Sequence, residues 1–314
     1  MNNKIRVAVI GLGHLGKEHA RIYHTLPGAE LVAGCDTDGS RKEIAKQYGV
    51  PFVKKARDLI GKVDAVSIAT PTNSHFKIAR EFLQAGIHTL IEKPITLKLE
   101  DADELIETAK EKRAALHVGH IERHNPGFKR IEEIAKDIRF FEIHRLGPFT
   151  GRINDCGVVL DLMIHDLDIV MGLVKSEVVS FDAMGINVLT PYEDIASVRI
   201  RFENGAVANM TASRLTPEKQ RKIRIFQKDA YISLDYGAQE AKIFRKKLFG
   251  IHQETVDIKK AEPLTEELKH FLEGIQSGQS LGRPDTAARD ALAFALEIVE
   301  DIQINQREHA IATL

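Results

Sequence analysis

The sequence predicts an α/β protein in two parts: a doubly wound parallel sheet, then an α+β domain with a large, mostly antiparallel open sheet. Three observations predict it. Residues 1–121 alternate short β-branched runs with helical stretches of about 10–15 residues, the rhythm of βαβ units. From about residue 138, strand-like runs follow one another, with Asn204-Gly205 as a hairpin signal between two of them. The length, 314 residues, suits two domains of about 150 residues each. The predicted division is 1–121 and 122–314, with the C-terminal helix able to pack back on the first part.

Element by element, residues 5–10 form a strand that ends in Gly11-Leu12-Gly13-His14-Leu15-Gly16. The helix that follows carries Leu15, His19, Ile22, Tyr23 and Leu26 on one side and is stopped by Pro27-Gly28. A second strand, 31–35, ends at Asp36. Then come a helix over 40–48, a strand at 65–69 and a helix over 74–85 closed by Gly86. A strand at 88–91, a helix over 99–112 and a strand at 115–119 complete the alternation. In the second part, strands are predicted at 138–146, 178–188, 196–202, 206–213, 222–227, 230–236 and 241–245. Helices are predicted near 125–136, 158–173, 265–276 and 285–303. One sheet face left uncovered by helices would favour a homodimer or homotetramer. Alternation at Val198, Ile200 and Phe202, or at Val207, Asn209 and Thr211, supplies a partly apolar exposed face.

Composition excludes several classes. Lys plus Arg number 44 against 45 Asp plus Glu, a net charge of -1, without the basic excess of a nucleic-acid binder. No apolar run approaches the roughly 18 residues of a membrane span, and the run at 7–10 is too short for a signal-peptide core. Only Cys35 and Cys156 are present, too few for a disulfide framework or a thiolate metal site. The expected compartment is the cytoplasm, with both thiols reduced.

The glycine turn follows a strand and opens a helix, which is the setting of a dinucleotide-binding (Rossmann) fingerprint. Glycines there permit a tight turn and close approach of the backbone to a pyrophosphate at the positive end of a helix. Asp36 lies 20 residues beyond Gly16, at the end of the second strand, where a carboxylate bonds ribose hydroxyls and repels a 2′-phosphate. The predicted cofactor is NAD. Arg41 keeps NADP open, since a nearby Arg accommodates that phosphate in some cases.

Glu92-Lys93-Pro94 stands at the carboxyl end of a strand, the edge where open α/β sheets bind ligands. Lys93 reads either as an acid–base group for a substrate hydroxyl or as a surface Lys before a helix-starting Pro. Asp161, His165 and Asp168 are spaced i, i+4 and i+7, on one face of an otherwise apolar helix. Such a stripe is costly unless paired or used. A structural ion pair and a divalent metal site are the competing readings; no second cluster has ligand spacing, and no metal is expected.

Together these stretches resemble the Gfo/Idh/MocA family of oxidoreductases. The resemblance rests on Gly11 to Gly16, Thr70-Pro71 with His75, Glu92-Lys93-Pro94, and Asp161-x-x-x-His165-Asp166-x-Asp168, and covers essentially the whole chain. It implies that Thr70 and Pro71 line the cofactor, with His75 near that loop. It also implies that Glu92 lies near the nicotinamide ribose and that Lys93 is the catalytic lysine, with the bond before Pro94 often cis. The expected reaction is NAD-dependent oxidation of a secondary alcohol. His165 takes the hydroxyl proton, Lys93 orients that hydroxyl, and Asp161 holds His165 or Lys93; the division of labour between Lys93 and His165 stays open.

The stretch Gly119-His120-Ile121-Glu122-Arg123-His124-Asn125-Pro126 resembles the branch of the family that oxidises the 3-hydroxyl of UDP-N-acetylglucosamine. The resemblance implies a 3-keto product passed to a sugar aminotransferase for lipid A or another surface glycan. Residue 124 is His where that branch carries Phe or Tyr. Glu122, Arg123 and Asn125 are the candidate substrate residues, together with Lys93, Asp161 and His165. Arg152 reads equally as a phosphate contact or a solvated loop cation, and Cys156 as a packing residue. Myo-inositol or a free sugar is the alternative substrate; a non-catalytic NAD-binding regulator is the alternative of another class.

Overall fold

A computed structural model describes residues 4–151, 155–247, 250–282 and 285–312. The chain divides into two compact units, Met1–Ile121 with Glu262–Arg289, and Glu122–Ala261 with Asp290–Leu314.

The first unit runs β1 (Ile5–Ile10), α1 (His14–Thr25), β2 (Ala29–Cys35), α2 (Lys42–Gln47), β3 (Phe52–Val53), β4 (Ala65–Ile68), α3 (His75–Gln84), β5 (His88–Glu92), α4 (Leu99–Lys112) and β6 (Leu116–Gly119). Its six strands are parallel in the order β3-β2-β1-β4-β5-β6, the doubly wound order that reverses direction at β1. Near-continuous apolar runs such as Val7 to Ile10 and Ala65 to Ile68 are buried, as strands covered on both faces require.

The second unit continues with α5 (Pro126–Ile134), β7 (Ile138–Leu146), one π-helical turn (Val159–Met163) leading into α6 (Ile164–Val174), then β8 (Val178–Ile186), β9 (Ile195–Phe202), β10 (Val207–Ser213), β11 (Gln220–Gln227), β12 (Ala230–Asp235), β13 (Glu240–Lys247) and β14 (Gly250–Val256). Its sheet has eight strands in the order β14-β13-β12-β11-β7-β10-β9-β8, antiparallel except between β7 and β10. The fold is therefore the mixed α/β class that the sequence predicts.

The chain closes with α7 (Pro263–Gln276) and α8 (Thr286–Ala312). Residues 262–289, placed by the sequence in the second domain, cluster with the first unit instead. The cause is apolar: Leu264, Leu268, Phe271 and Leu272 of α7 pack into the core of Val7, Val9, Leu12, Tyr23 and Leu90.

The exposed sheet face also differs from expectation. Val198, Ile200 and Phe202 are buried, on the face met by the π turn and by Phe294 and Ile302 of α8. The open face instead carries an aromatic ladder across β7, β11, β12 and β13: Phe140–Phe226 at 5.5 Å, Phe226–Tyr231 at 4.8 Å and Tyr231–Phe244 at 5.2 Å between ring centroids. Val207, Asn209 and Thr211 are half-buried on this face. Among the described residues, no helix is long and apolar enough to cross a membrane.

Candidate functional site

In the first unit the glycine turn passes a test of fit for a dinucleotide. Gly11 sits at φ +86°, and a Cβ there would stand 2.6 Å from the Ala69 carbonyl oxygen. A Cβ on Gly16 would stand 1.7 Å from the Gly11 carbonyl oxygen, so α1 packs directly on the turn. Gly13 is different: a Cβ there meets nothing of the protein within 4 Å. Packing does not require that glycine, whereas close approach of a ligand does. Gly13 is also the N-cap of α1 and no side chain caps the helix, so the amides of its first turn, with His14 and Leu15 exposed, face outward.

Asp36 accepts the Leu12 N–H at 2.7 Å and the Asp38 N–H at 2.9 Å, which fixes its carboxylate at the tip of β2 beside the turn. Arg41 leans on Asp38 at 3.6 Å. The acidic position and the outward amides match the donor and acceptor set of NAD.

The Glu92-Lys93-Pro94 turn follows β5, and the Lys93–Pro94 peptide is cis. Glu92 is buried; its Oε1 lies 2.8 Å from His19 Nε2. Burial alone would raise its pKa, but the His19 bond and the Lys93 charge hold the carboxyl below the ordinary range. Gly119, paired with Glu92 across β5 and β6, makes room: a Cβ there would stand 2.9 Å from Glu92 Oε2. His75 is buried with Nε2 2.9 Å from the Thr70 carbonyl and Nδ1 3.0 Å from the Pro94 carbonyl. Burial lowers its pKa. His75 thus ties the Thr70-Pro71 loop to the lysine turn, and Ser74 Oγ, 2.8 Å from Thr70 Oγ1, braces the loop itself.

In the second unit Asp161 lies in the π turn, partly exposed, and His165 in the first turn of α6, buried. π turns recur at functional sites because they displace side chains from helical register. This one starts where Glu193 reaches under the helix: its carbonyl accepts the Val158 N–H at 2.9 Å and its Oε1 the Val159 N–H at 3.1 Å. Gly157 leaves space for that carboxyl, since a Cβ there would stand 2.0 Å from it.

Three expected substrate residues are tied into this unit's own frame. Arg123 forks onto Asp168, with Nε 2.6 Å from Oδ2. Glu122 accepts from Arg145 Nη1 at 2.9 Å. Asn125 caps α5 by accepting the Gly127 N–H at 3.0 Å and donates to the Tyr236 carbonyl at 3.1 Å. Arg152 lies outside the described residues.

Several polar residues at these sites escaped the sequence. Arg145 is buried and donates to Asp166 through Nε and Nη2, both at 2.8 Å. Burial would lower its pKa, but Asp166 and Glu122 hold it far above the ordinary range. Arg221, opposite Arg145 across β11 and β7, lies 3.9 Å from Glu122, its pKa lowered by burial and by Arg145. The available signal for Arg145 was a charge at an inward strand position after Phe141 and Ile143; for His19 it was a histidine within an apolar helix face.

Residues 5–120 match the Gfo/Idh/MocA oxidoreductase family's NAD-binding Rossmann fold, and residues 138–233 match the family's C-terminal domain. The chain belongs to the Gfo/Idh/MocA family. Among relatives, UDP-N-acetylglucosamine 3-dehydrogenase of Acidithiobacillus ferrooxidans is 37% identical over 302 residues, covering 94% of this chain and 96% of its own. A solved structure of that enzyme superposes with a TM-score of 0.90, covering 96% of this chain and 99% of its own. Scyllo-inositol 2-dehydrogenase of Bacillus subtilis is 31% identical over 237 residues, 69% of each chain. Levoglucosan dehydrogenase in complex with NADH, at 21% identity and a TM-score of 0.85, shares the fold. This Gfo/Idh/MocA member is thus an NAD-dependent oxidoreductase acting on a hydroxyl group.

Proposed function

We propose that the chain oxidises the 3-hydroxyl of UDP-N-acetylglucosamine to the 3-keto sugar nucleotide. The observation that carries the reading is the end-to-end similarity to the Acidithiobacillus enzyme, 37% identity over 94% of this chain and 96% of that one. The nicotinamide, when bound, accepts the hydride from the sugar carbon. The protein's part is binding and the proton. Amides at the start of α1, from Gly13 on, hold the pyrophosphate, Asp36 takes ribose hydroxyls, and Thr70, Pro71, His75 and Glu92 shape the cofactor's surroundings. Lys93 orients the sugar hydroxyl and lowers its pKa, His165 removes its proton, and Asp161 orients the base.

Arg123 supports substrate binding as a cation fixed in place by Asp168, with Asn125 and Glu122 holding its segment. The product ketone suits an aminotransferase, which places the chain before a 3-amino sugar destined for lipid A or a related glycan. The aromatic ladder of the open sheet favours a homo-oligomer joined through that face, and the cytoplasm is the compartment proposed because NAD and nucleotide sugars are drawn on there.

Incubation with NAD and UDP-N-acetylglucosamine, myo-inositol, scyllo-inositol or free hexoses, followed at the nicotinamide absorbance, tests the reading. Reduction with the UDP-sugar is expected, and its loss in both Lys93→Ala and His165→Ala with NAD affinity retained. Reduction with an inositol alone would establish the second reading, which the Bacillus relative favours. Silence across the panel with NAD bound would leave a regulator.

A further inference from the structure

The helix that follows the glycine turn is joined to the lysine turn by a buried polar thread whose histidine the reaction as described leaves unused. His19 lies one turn into α1, wholly enclosed, between two adjacent strands. Its Nδ1 is 2.6 Å from Ser67 Oγ on β4, and its Nε2 is 2.8 Å from Glu92 Oε1 on β5. Tyr23, also fully buried, stands near Ser67, Glu92 and Glu267. The charged and titratable groups facing His19 and Glu92 are therefore Tyr23, Glu267, Lys93 and His75.

An ionised carboxylate only accepts, so Nε2 of His19 donates to Glu92, and Ser67 fixes the ring's other edge. Two anchors on neighbouring strands set the imidazole plane, and the ring in turn sets the Glu92 carboxylate. On the opposite side of the turn, His75 of α3 reaches the Pro94 carbonyl with one nitrogen and the Thr70 carbonyl with the other. Glu92 and Pro94 are thus each held by a buried histidine, one from each of two helices, and Lys93 is the residue between them.

We infer that His19 and His75 are positioning residues for Lys93, clamping its turn from both ends, with Ser67 aligning His19. The inference deepens the reading of Lys93 as the lysine at the substrate hydroxyl and rests on it. A catalytic group displaced by about 1 Å loses on the order of 100-fold in rate, so a clamp on the backbone to either side has a kinetic consequence.

The test uses the full chain in two measurements. The first is turnover with UDP-N-acetylglucosamine and NAD. The second is the rate at which Lys93 is reductively methylated without substrate, read by mass spectrometry against the other lysines. His19→Ala and His75→Ala should each lower kcat by about 10- to 100-fold, and in His19→Ala, which stands away from the cofactor loop, the KM for NAD should stay within about threefold. Lys93 methylation should change by at least about threefold with the other lysines unchanged, and His75→Gln, whose amide N–H still offers a donor to one of the two carbonyls, should recover part of kcat. Adding His19→Ala to Glu92→Gln should produce no further loss, because both act through one carboxylate.

Folded variants with wild-type Lys93 methylation and wild-type kcat overturn the clamp, as does full additivity with Glu92→Gln. Should His19→Ala fail to fold, Ser67→Ala carries the same test: a threefold or greater change at Lys93 supports the clamp and a wild-type rate refutes it. If Lys93→Ala itself keeps wild-type turnover, the acid–base role of Lys93 falls, while the methylation rates still decide whether the histidines hold the turn.

Discussion

Arg145 offers a direct test of what holds the His165 helix. Its guanidinium is enclosed in the second unit, forked onto Asp166, bonded to Glu122 and set 5.7 Å from the centroid of the Tyr236 ring. Arg145→Met fills the volume but strips Asp166 of its hydrogen-bonded cation and leaves Glu122 with Arg221 alone, at 3.9 Å. Removing one partner of a buried pair costs about 3–5 kcal/mol. For a unit of this size each kcal/mol lowers the melting temperature by about 2–4 °C, so a fall of about 6–20 °C is expected.

The loss depends on pH, and the sign follows from Asp166. Burial raises its carboxyl even with Arg145 present. A carboxyl raised in the folded state favours folding when protonated, and that contribution is lost as pH rises through the folded value. Without Arg145 the value rises further, so the deficit should be larger near pH 8 than near pH 5. Urea unfolding at both values, followed by far-ultraviolet circular dichroism because the chain has no Trp, measures it. A deficit below about 1 kcal/mol, or one independent of pH, refutes the account of this cluster. Since Asp166 adjoins His165, kcat should fall as well.

The remaining predictions are simpler. Gly13→Ala should melt within about 2 °C of wild type yet bind NAD at least about tenfold more weakly, whereas Gly16→Ala should lose about 3 kcal/mol or more of stability. Calorimetric titration and thermal unfolding separate the two, and an undiminished NAD affinity in Gly13→Ala would refute the cradle. Burial pushes the Cys35 thiol up to about 12, so iodoacetamide near neutral pH should leave it intact in the native protein and modify it in urea. Tyr231→Arg, in the middle of the aromatic ladder, should shift the mass found by light scattering from oligomer to monomer; an unchanged mass would remove that face from the interface.

Local chemistry was readable from the sequence where it repeats at short range. The strand-turn-helix around Gly11 to Gly16 and the alternation to residue 119 carry their own periodicity. Other elements depend on partners far along the chain. β14 is exposed at every residue but the last, so no inward-outward alternation marks it, and β3 has only two residues. The π turn at Asp161 depends on Glu193, more than thirty positions away, and on the space Gly157 leaves for it. At the site, Glu92 and Lys93 were legible as a turn at a strand end. His19 was not, because an imidazole in an apolar helix face looks alike whether it packs or bonds. Arg123 was legible as a cation but not as the partner of Asp168, since charge in a sequence does not reveal its counterion.

The return of α7 to the first unit bears on the order in which the protein takes shape as it is made. Residues 1–121 emerge first, yet part of the core they surround is supplied by Leu264, Leu268, Phe271 and Leu272. At ribosomal speeds of about 5–20 residues per second, those side chains arrive on the order of 10 s later. Through that interval the apolar faces of α1 and β1 await their cover while the whole of the second sheet is synthesised. The nucleotide-binding half, begun first, is the half completed late, and nascent chains halted before residue 262 should carry it in an open, protease-sensitive form.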